Sequence, residues 1–159
     1  KAEAVLELKN IEVKVKWDAY EILAQTSIAL GDSLKAQSAF EVLEKAPIDQ
    51  LAAEAYYFRA HQNHKNKDFE KSNEVIALLS QKFSSQPNWA AKSLLLMAKN
   101  FYAVKDAFQS TYILESLLEN YKQFPEILKE GETLLNQIKE KQSEQNATLS
   151  QPNDNNEVQ

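Results

Sequence analysis

The sequence predicts an all-α protein made of repeated helical hairpins. Three observations lead to this prediction: apolar residues recur at three- and four-residue steps, similar turns return at a nearly constant interval, and only two of the 159 residues are glycine. Steps of three and four place apolar side chains on one face of a helix. Loop-rich β folds rely on glycine for turns with positive φ, so a chain this poor in glycine does not suit them.

The clearest hairpin lies in residues 89–121, which read as two amphipathic helices joined by a turn at residues 104–106. The apolar stripes are formed by Leu94, Met97, Ala98 and Phe101 before the turn and by Ile113, Leu114, Leu117 and Leu118 after it. Asp106 suits the N-cap of the second helix. Neither stripe can be covered by its own helix, so we expect the two helices to pack together and to need neighbours.

Similar turns occur twice more, at Gly31–Asp32 and Lys67–Asp68, and the three turn aspartates are 36 and 38 residues apart. Matching residue types lie at fixed distances from each aspartate: Tyr20, Tyr56 and Leu94 twelve residues before it, Ala24, Ala60 and Ala98 eight before it, and Phe40, Ile76 and Leu114 eight after it. The chain therefore contains a helix–turn–helix unit three times. We expect the residues eight past each aspartate to fill equivalent core positions.

This pattern resembles the tetratricopeptide repeat (TPR), a helix–turn–helix unit of about 34 residues. The first unit matches best, with Tyr20, Leu23, Ala24, Gly31, Asp32, Ala36 and Phe40 at positions where the family has these or similar residues. The second and third units depart from the family at Ser72 and Ser110, where alanine is usual. The resemblance covers residues 17–124 and implies a superhelix of three hairpins, at 17–50, 53–87 and 89–124.

The N-terminal residues 1–16 are expected to be the end of a preceding repeat: a short helix over residues 1–9, followed by an extended connector. Ala2 and Leu6 fall where the second helix of an earlier unit would carry its apolar residues. An alternative follows from residues 11–17, in which apolar and charged side chains alternate as in a half-buried strand. A strand would have no partner in an all-helical array, so the connector is preferred.

The C-terminal part of the chain divides into a helix and a polar tail. Residues 125–141 are expected to form an amphipathic capping helix that covers the apolar flank left by the third hairpin. Its apolar face is formed by Ile127, Leu128, Leu134, Leu135 and Ile138. Pro125 suits the first turn of this helix, where no backbone N–H is needed. Residues 142–159 are poor in apolar side chains and are expected to be a disordered polar tail.

Composition limits the function classes. A net charge of −5 argues against sequence-independent binding of nucleic acid, which needs a basic surface. No apolar run approaches the length of a membrane-spanning helix, and the lack of cysteine removes thiolate chemistry and disulfides. Gly31 and Gly131 are too far apart to form a phosphate-binding loop. We therefore expect no cofactor, no direct insertion into a membrane and no nucleic-acid partner.

His61 and His64 are the only two histidines, and their spacing puts both on one helix face. Such a pair could supply two ligands to a metal ion, but sequence spacing fixes no third ligand beside it. No nucleophile and base occur together in a recognisable catalytic motif either. The chain is therefore expected to be non-catalytic and to hold no metal.

The resemblance to TPR proteins also implies where a partner binds, because the first helix of each repeat lines the concave face of such arrays. The positions that point into the groove are Asp18, Glu21, Gln25 and Ile28 in the first unit, Glu54, Tyr57, His61 and His64 in the second, and Lys92, Leu95, Lys99 and Tyr102 in the third. This lining changes from acidic to basic along the array, with Tyr57, Leu95 and Tyr102 as apolar anchors. It suits a peptide or a helix of a partner protein.

The alternative to partner binding is a structural spacer or self-association module of a larger multi-repeat protein. In that case the exposed N-terminal edge of the array could pair two copies as a homodimer. The turn spacing, the long third unit and the polar tail also resemble the C-terminal segment of large bacterial TPR proteins, many of which are exported or attached to the outer membrane. That resemblance implies a periplasmic or outer-membrane-associated location, with the cytoplasm as the alternative.

Overall fold

The computed structural model describes residues 1–8 and 11–149, and 81% of these residues are helical. The described ranges contain eight helices and no strand, which confirms the prediction of an all-α protein. The helices are α1 (Ala2–Leu6), α2 (Val13–Ala29), α3 (Ser33–Leu43), α4 (Asp49–Lys65), α5 (Phe69–Lys82), α6 (Pro87–Ala103), α7 (Ala107–Asn120) and α8 (Pro125–Leu149). No helix in the described ranges is long and apolar enough to cross a bilayer.

Consecutive helices pack as three hairpins: α2 on α3, α4 on α5, and α6 on α7. Each hairpin packs on the next, through α3 and α4 at the first junction and through α4, α5 and α6 at the second. The short α1 packs on α2, and its Glu3 forms an exposed ion pair with Lys35 of α3 at 2.6 Å. α8 packs on α7 and also reaches α6. The core therefore extends along the array, between neighbouring hairpins.

The three hairpin turns share one backbone geometry. Gly31, Lys67 and Lys105 all adopt the left-handed conformation, with φ of 74°, 64° and 66°. Each of them donates its backbone N–H to the carbonyl three residues back, and the aspartate that follows donates to the carbonyl five residues back. This pair of bonds satisfies carbonyls that the end of a helix leaves unpaired. Glycine adopts the left-handed conformation without the steric cost that the two lysines carry.

The turn aspartates also begin the second helix of each hairpin. The carboxylates of Asp32 and Asp106 accept hydrogen bonds from the backbone N–H three residues later, at 3.1 and 3.0 Å, which confirms the predicted N-cap role of Asp106. Asp68 takes the N-cap position of α5, where its carboxylate pairs with Lys71 at 3.6 Å. The repeated turn therefore ends one helix and starts the next within a few residues.

The core consists of three apolar clusters, and each contains one of the residues that lie eight past a turn aspartate. Phe40 is 3% exposed, and Ile76 and Leu114 are fully buried, so the prediction that these are core residues is confirmed. Phe40 stacks on Phe58 of α4 with ring centroids 4.1 Å apart. This contact joins the first hairpin to the second, and burial of such a side chain contributes about 3 kcal/mol to stability.

Ser72 and Ser110, which stand where the TPR pattern has alanine, each have a defined structural role. Their hydroxyls donate to the carbonyl of an alanine in the partner helix of the same hairpin, Ser72 to Ala60 at 2.8 Å and Ser110 to Ala98 at 2.9 Å. Both serines are fully buried, and a buried hydroxyl without a hydrogen bond would be destabilising. The small side chain still lets the two helices approach closely, as alanine would.

The N-terminal prediction needs correction. α1 ends at Leu6 instead of residue 9, and α2 begins at Val13, so residues 13–16 are helical and do not form an extended connector. Val13 and Val15 are 68% and 41% exposed, so the alternation that suggested a strand does not mark a buried face. The part of the expected connector at residues 9 and 10 lies outside the described residues.

The hairpin boundaries shift as well. α4 begins at Asp49 and α6 at Pro87, whereas the TPR pattern places the second and third units from residues 53 and 89. Leu51, only 4% exposed, packs in the cluster around Phe40. Burial of its side chain favours a helix that already includes this residue over a loop at residues 49–52. Pro87 occupies the first turn of its helix, where the lack of a backbone N–H costs nothing.

α8 is longer than the predicted capping helix. It begins at Pro125 as expected but continues to Leu149, so the prediction of a disordered tail is wrong for residues 142–149. Residues 150–159 lie outside the described residues. The low apolar content of this segment prevents burial, and residues 142–147 are indeed exposed. It does not prevent helix formation, because the Gln, Glu, Ala and Leu residues of 142–149 have good helix propensity.

Candidate functional site

Six of the predicted groove residues line one open groove, which we call the first groove. It is bounded by the first helices α2, α4 and α6, with α3 at one end, and its volume is about 430 Å³. The predicted residues in its lining are Gln25, Ile28, Glu54, Tyr57, His61 and Lys92. Lining residues that the sequence reasoning missed include Phe58, Lys65 and Trp89. A cavity of this size holds a small ligand or a few side chains.

Glu54 of α4 is the most buried charged group of the first groove, with 8% of its surface exposed. Its carboxylate accepts a hydrogen bond from the side-chain amide of Gln25 on α2. Burial, and next the nearby carboxylate of Glu21, raise the pKa of Glu54 above its ordinary value. Within the described residues, no cationic side chain lies within 4.0 Å of this carboxylate. Its negative charge therefore has lost water without gaining a salt bridge.

An aromatic wall formed by Tyr57 and Trp89 stands on the α4–α6 side of the first groove. The two ring centroids are 5.4 Å apart, and the ammonium of Lys92 lies 4.3 Å from the centroid of Trp89. That separation is within the range of a cation–π interaction. Trp89 lies three residues before Lys92 on the same helix, so helical spacing alone could have added it to the predicted lining.

A second groove of about 280 Å³ adjoins the first, because Tyr57, His61 and Lys92 line both. Its other lining residues are His64, Leu95, Leu96 and Lys99 from the hairpins and Glu126, Ile127 and Glu130 from α8. Of the predicted positions here, Leu95 is only 5% exposed, so it serves mainly as a core residue. The helix periodicity of residues 125–141 gave no indication that α8 would form a wall of this groove.

Packing of α8 changes the third part of the predicted lining. Lys99 forms an ion pair with Glu130 of α8 at 2.5 Å, so its charge is partly compensated within the chain. Tyr102 lies outside both grooves, where the ammonium of Lys141 is 5.2 Å from its ring centroid. A separate cavity of about 510 Å³ lies between this tyrosine and α8. Tyr102, predicted as an apolar anchor, therefore lines neither the first nor the second groove.

Asp18 and Glu21 of α2 are half-buried but line neither groove. Glu21 nevertheless acts on the first groove, because its negative charge helps raise the pKa of Glu54. The acidic N-terminal end of the predicted lining is thus represented in the groove itself by Glu54. Glu21 contributes to the local field without forming the wall.

The two predicted histidines have different surroundings. The ring of His61 stacks with Tyr57 at 6.2 Å, and burial, followed by the positive charge of Lys65, lowers the pKa of His61. His64 Nδ1 lies 2.6 Å from the side-chain oxygen of Asn100. That oxygen can only accept, so Nδ1 of His64 is the donor.

Asn100 of α6 is fully buried and connects the second hairpin to the third. Its oxygen accepts from His64, while its amide nitrogen donates to Ser72 Oγ at 2.8 Å and to Asn73 Oδ1 at 2.7 Å. Because Ser72 in turn donates to the carbonyl of Ala60, every member of this chain of hydrogen bonds is satisfied. His64 therefore supports the packing of α6 on α4 in addition to lining the second groove.

The histidine pair does not complete a metal site with other side chains of the described ranges. Its ring centroids are 6.4 Å apart, and within those ranges no group of three His, Cys, Asp or Glu side chains is placed to hold a metal ion. Both histidines are instead used by the protein, one in stacking and one in the Asn100 network. The site is therefore best described as an aromatic and charged groove.

Comparison with known proteins does not add a family to this description: no family model, no curated protein and no solved structure matches the chain. Function therefore has to be inferred from the two grooves and from the side chains that line them.

Proposed function

We propose that this chain is a TPR-like helical-repeat scaffold without catalytic activity of its own, and that it binds a segment of a partner protein in the first groove. The observation that carries this proposal is the groove between α2, α4 and α6, where the aromatic pair Tyr57–Trp89 stands beside the buried Glu54. Tyr57 and Trp89 are half-buried, and aromatic side chains next to a desolvated charge are typical of the energetic centre of a protein interface.

The TPR-like part of the proposal is supported by the three hairpin turns. The same left-handed residue and the same pair of backbone hydrogen bonds return at intervals of 36 and 38 residues, as the turn aspartates do. Ser72 and Ser110 form the same bond to the partner helix in two successive hairpins. In arrays of this kind neighbouring units stack and the first helices form a shared surface.

A segment of protein suits the first groove better than a whole domain does. The groove accommodates only a few side chains, and its lining combines apolar rings with charged and amide groups. Such a surface can bind a short extended segment or one face of a helix, with aromatic side chains as anchors. The charges along the edges then set the orientation of the segment.

The proposal can be tested by selecting short peptides from a random display library against the whole chain and measuring their affinities by fluorescence polarisation. Tyr57→Ala should weaken binding by about tenfold or more, because it removes a central aromatic anchor. The matched control is Tyr112→Ala: Tyr112 is 68% exposed on α7 and lines neither groove. If selected peptides bind Tyr57→Ala as well as the parent, or protect only α3, α5 and α7 from hydrogen exchange, this function is wrong.

The second candidate function, self-association, is favoured by exposed apolar side chains in the first hairpin. Leu30 and Leu34 are 78% and 80% exposed, and Ile22 of α2 is 57% exposed. Such residues are typical of surfaces that bind another protein. Light scattering coupled to size-exclusion chromatography should then show a dimer that a Leu30→Gln/Leu34→Gln variant weakens. A parent chain that is monomeric at high concentration would exclude this candidate.

A further inference from the structure

The buried carboxylate of Glu54 forms no salt bridge with the cationic side chains of the described residues. It is over nine-tenths buried, and its hydrogen-bond partner, Gln25, is neutral. Lys92 also lines the first groove, and its positive charge is the smallest influence on the pKa of Glu54, which it lowers. Its ammonium lies over the Trp89 ring, 4.3 Å from the centroid. A buried carboxylate is stabilised most strongly by a cation that enters the same low-dielectric site.

We propose that the first groove recognises a cationic side chain, arginine or lysine, of the bound segment, with its charge at Glu54 and an adjacent apolar residue against Tyr57 and Trp89. This inference rests on the proposed function and gives the partner its chemistry. The burial of Glu54 and the proximity of Glu21 make this part of the groove negative. The position of Lys92 shows that the same aromatic wall already accepts a cation of this protein.

The positive charges around the groove do not outweigh this preference. Lys65 lines the groove but is exposed, so salt and water screen its charge. Lys92 is half-buried and is directed to Trp89. Glu54 is the more deeply buried charge, and its interaction with a guest is screened least. A carboxylate placed beside Glu54 would be repelled by its charge.

The test uses the peptides selected against the whole chain in the experiment on Tyr57. Selected sequences should share an arginine or lysine next to an apolar residue. Changing that residue to glutamine in the peptide should weaken binding by about tenfold, and Glu54→Gln in the protein should weaken it by a similar factor. The two changes together should cost little more than either one, because both remove the same ion pair.

Two protein variants serve as matched controls. Glu74→Gln removes an exposed carboxylate of α5 that lines neither groove and should leave the affinity unchanged. Lys92→Gln removes a positive charge from the groove and should strengthen binding of a cationic peptide. Glu54→Gln keeps a carbonyl oxygen that can accept from Gln25, and the glutamine change in the peptide probes the same contact without altering the protein.

The outcomes separate this inference from the proposed function. Peptides that depend on Tyr57 but lack a shared cation, or that bind Glu54→Gln as tightly as the parent, would overturn the inference and leave groove binding intact. Lys92→Gln that weakens binding would also overturn it, since the segment would then present an acidic group. A library that yields no peptide dependent on Tyr57 would overturn both.

Discussion

The first and second grooves are formed by the same kind of helix, but they have different neighbours. At the first groove α2 meets α4 through the Gln25–Glu54 hydrogen bond, and the space between the helices stays open. At the second groove α8 supplies a wall, and Glu130 pairs with Lys99 of α6. The difference shows that a repeated unit does not by itself determine an open binding surface. The helix that packs next to it decides which charges remain available.

The largest expected effect concerns the core between the first and second hairpins, next to the first groove. Phe40→Ala removes the ring that stacks on Phe58 and should lower the free energy of unfolding by about 3–5 kcal/mol. Leu114→Ala, at the equivalent core position of the third hairpin, should lower the free energy of unfolding by about 2–5 kcal/mol. Chemical denaturation of both variants measures these losses. A transition midpoint unchanged by Phe40→Ala would show that the first hairpin is not attached through this contact.

The second test compares a leucine-to-aspartate substitution in α8 with the same substitution in α3. Leu135 of α8 is 7% exposed and packs in the apolar cluster around Leu114, so Leu135→Asp buries an unpaired charge and should cost about 3 kcal/mol. Leu34→Asp, at a residue that is 80% exposed, should change stability by less than about 0.5 kcal/mol. Thermal melts and size-exclusion chromatography distinguish the two. Equal effects would mean that α8 does not cover the third hairpin.

The third test uses the pH dependence of stability that Glu54 of the first groove should produce. A raised folded-state pKa means that the contribution of Glu54 to stability is present below its unfolded pKa and is lost as the pH rises through the folded value. Glu54→Gln should therefore be more stable than the parent at neutral pH, and the advantage should vanish as the pH falls toward the ordinary glutamate range. Thermal melts across about pH 4 to 8 measure it.

A matched variant makes this pH test specific. Glu21→Gln removes a charge that helps raise the pKa of Glu54. The loss of stability with rising pH should therefore end at a lower pH in this variant than in the parent. Parallel stability curves for the parent and Glu54→Gln over the whole range would contradict the assigned environment of Glu54.

The smallest expected effects are in the turns, and they have opposite signs in the first and third hairpins. Lys105 has φ of 66°, so Lys105→Gly should raise stability by about 0.5–1 kcal/mol. Gly31 has φ of 74°, and a Cβ at this residue would meet no other atom within 4 Å, so Gly31→Ala should cost about 1 kcal/mol from backbone strain alone. Denaturation midpoints check both. A gain from Gly31→Ala would mean that this turn is not held in the left-handed conformation.

The sequence alone was sufficient to predict helices, turns and the main core positions, because these depend on local spacing. Apolar residues at helical intervals identified Phe40, Ile76 and Leu114, all of which are buried. It was less informative at the ends of the chain. Residues 13–16 and 142–149 are helical where the apolar pattern had suggested a connector and a disordered tail. For residues 142–149 the helix propensity of Gln, Glu and Ala accounts for the difference.

Only the tertiary structure decided which of the predicted groove residues form a shared surface. Spacing placed Lys92, Lys99 and Tyr102 on one helix, yet Lys92 lines both grooves, Lys99 is paired with α8 and Tyr102 lies beside Lys141. The burial of Glu54 next to Gln25 likewise depends on how α2 approaches α4. Local periodicity fixes the face of a helix on which a side chain lies. The water and counter-charges available to that side chain depend on helices distant in the sequence, and packing alone brings them together.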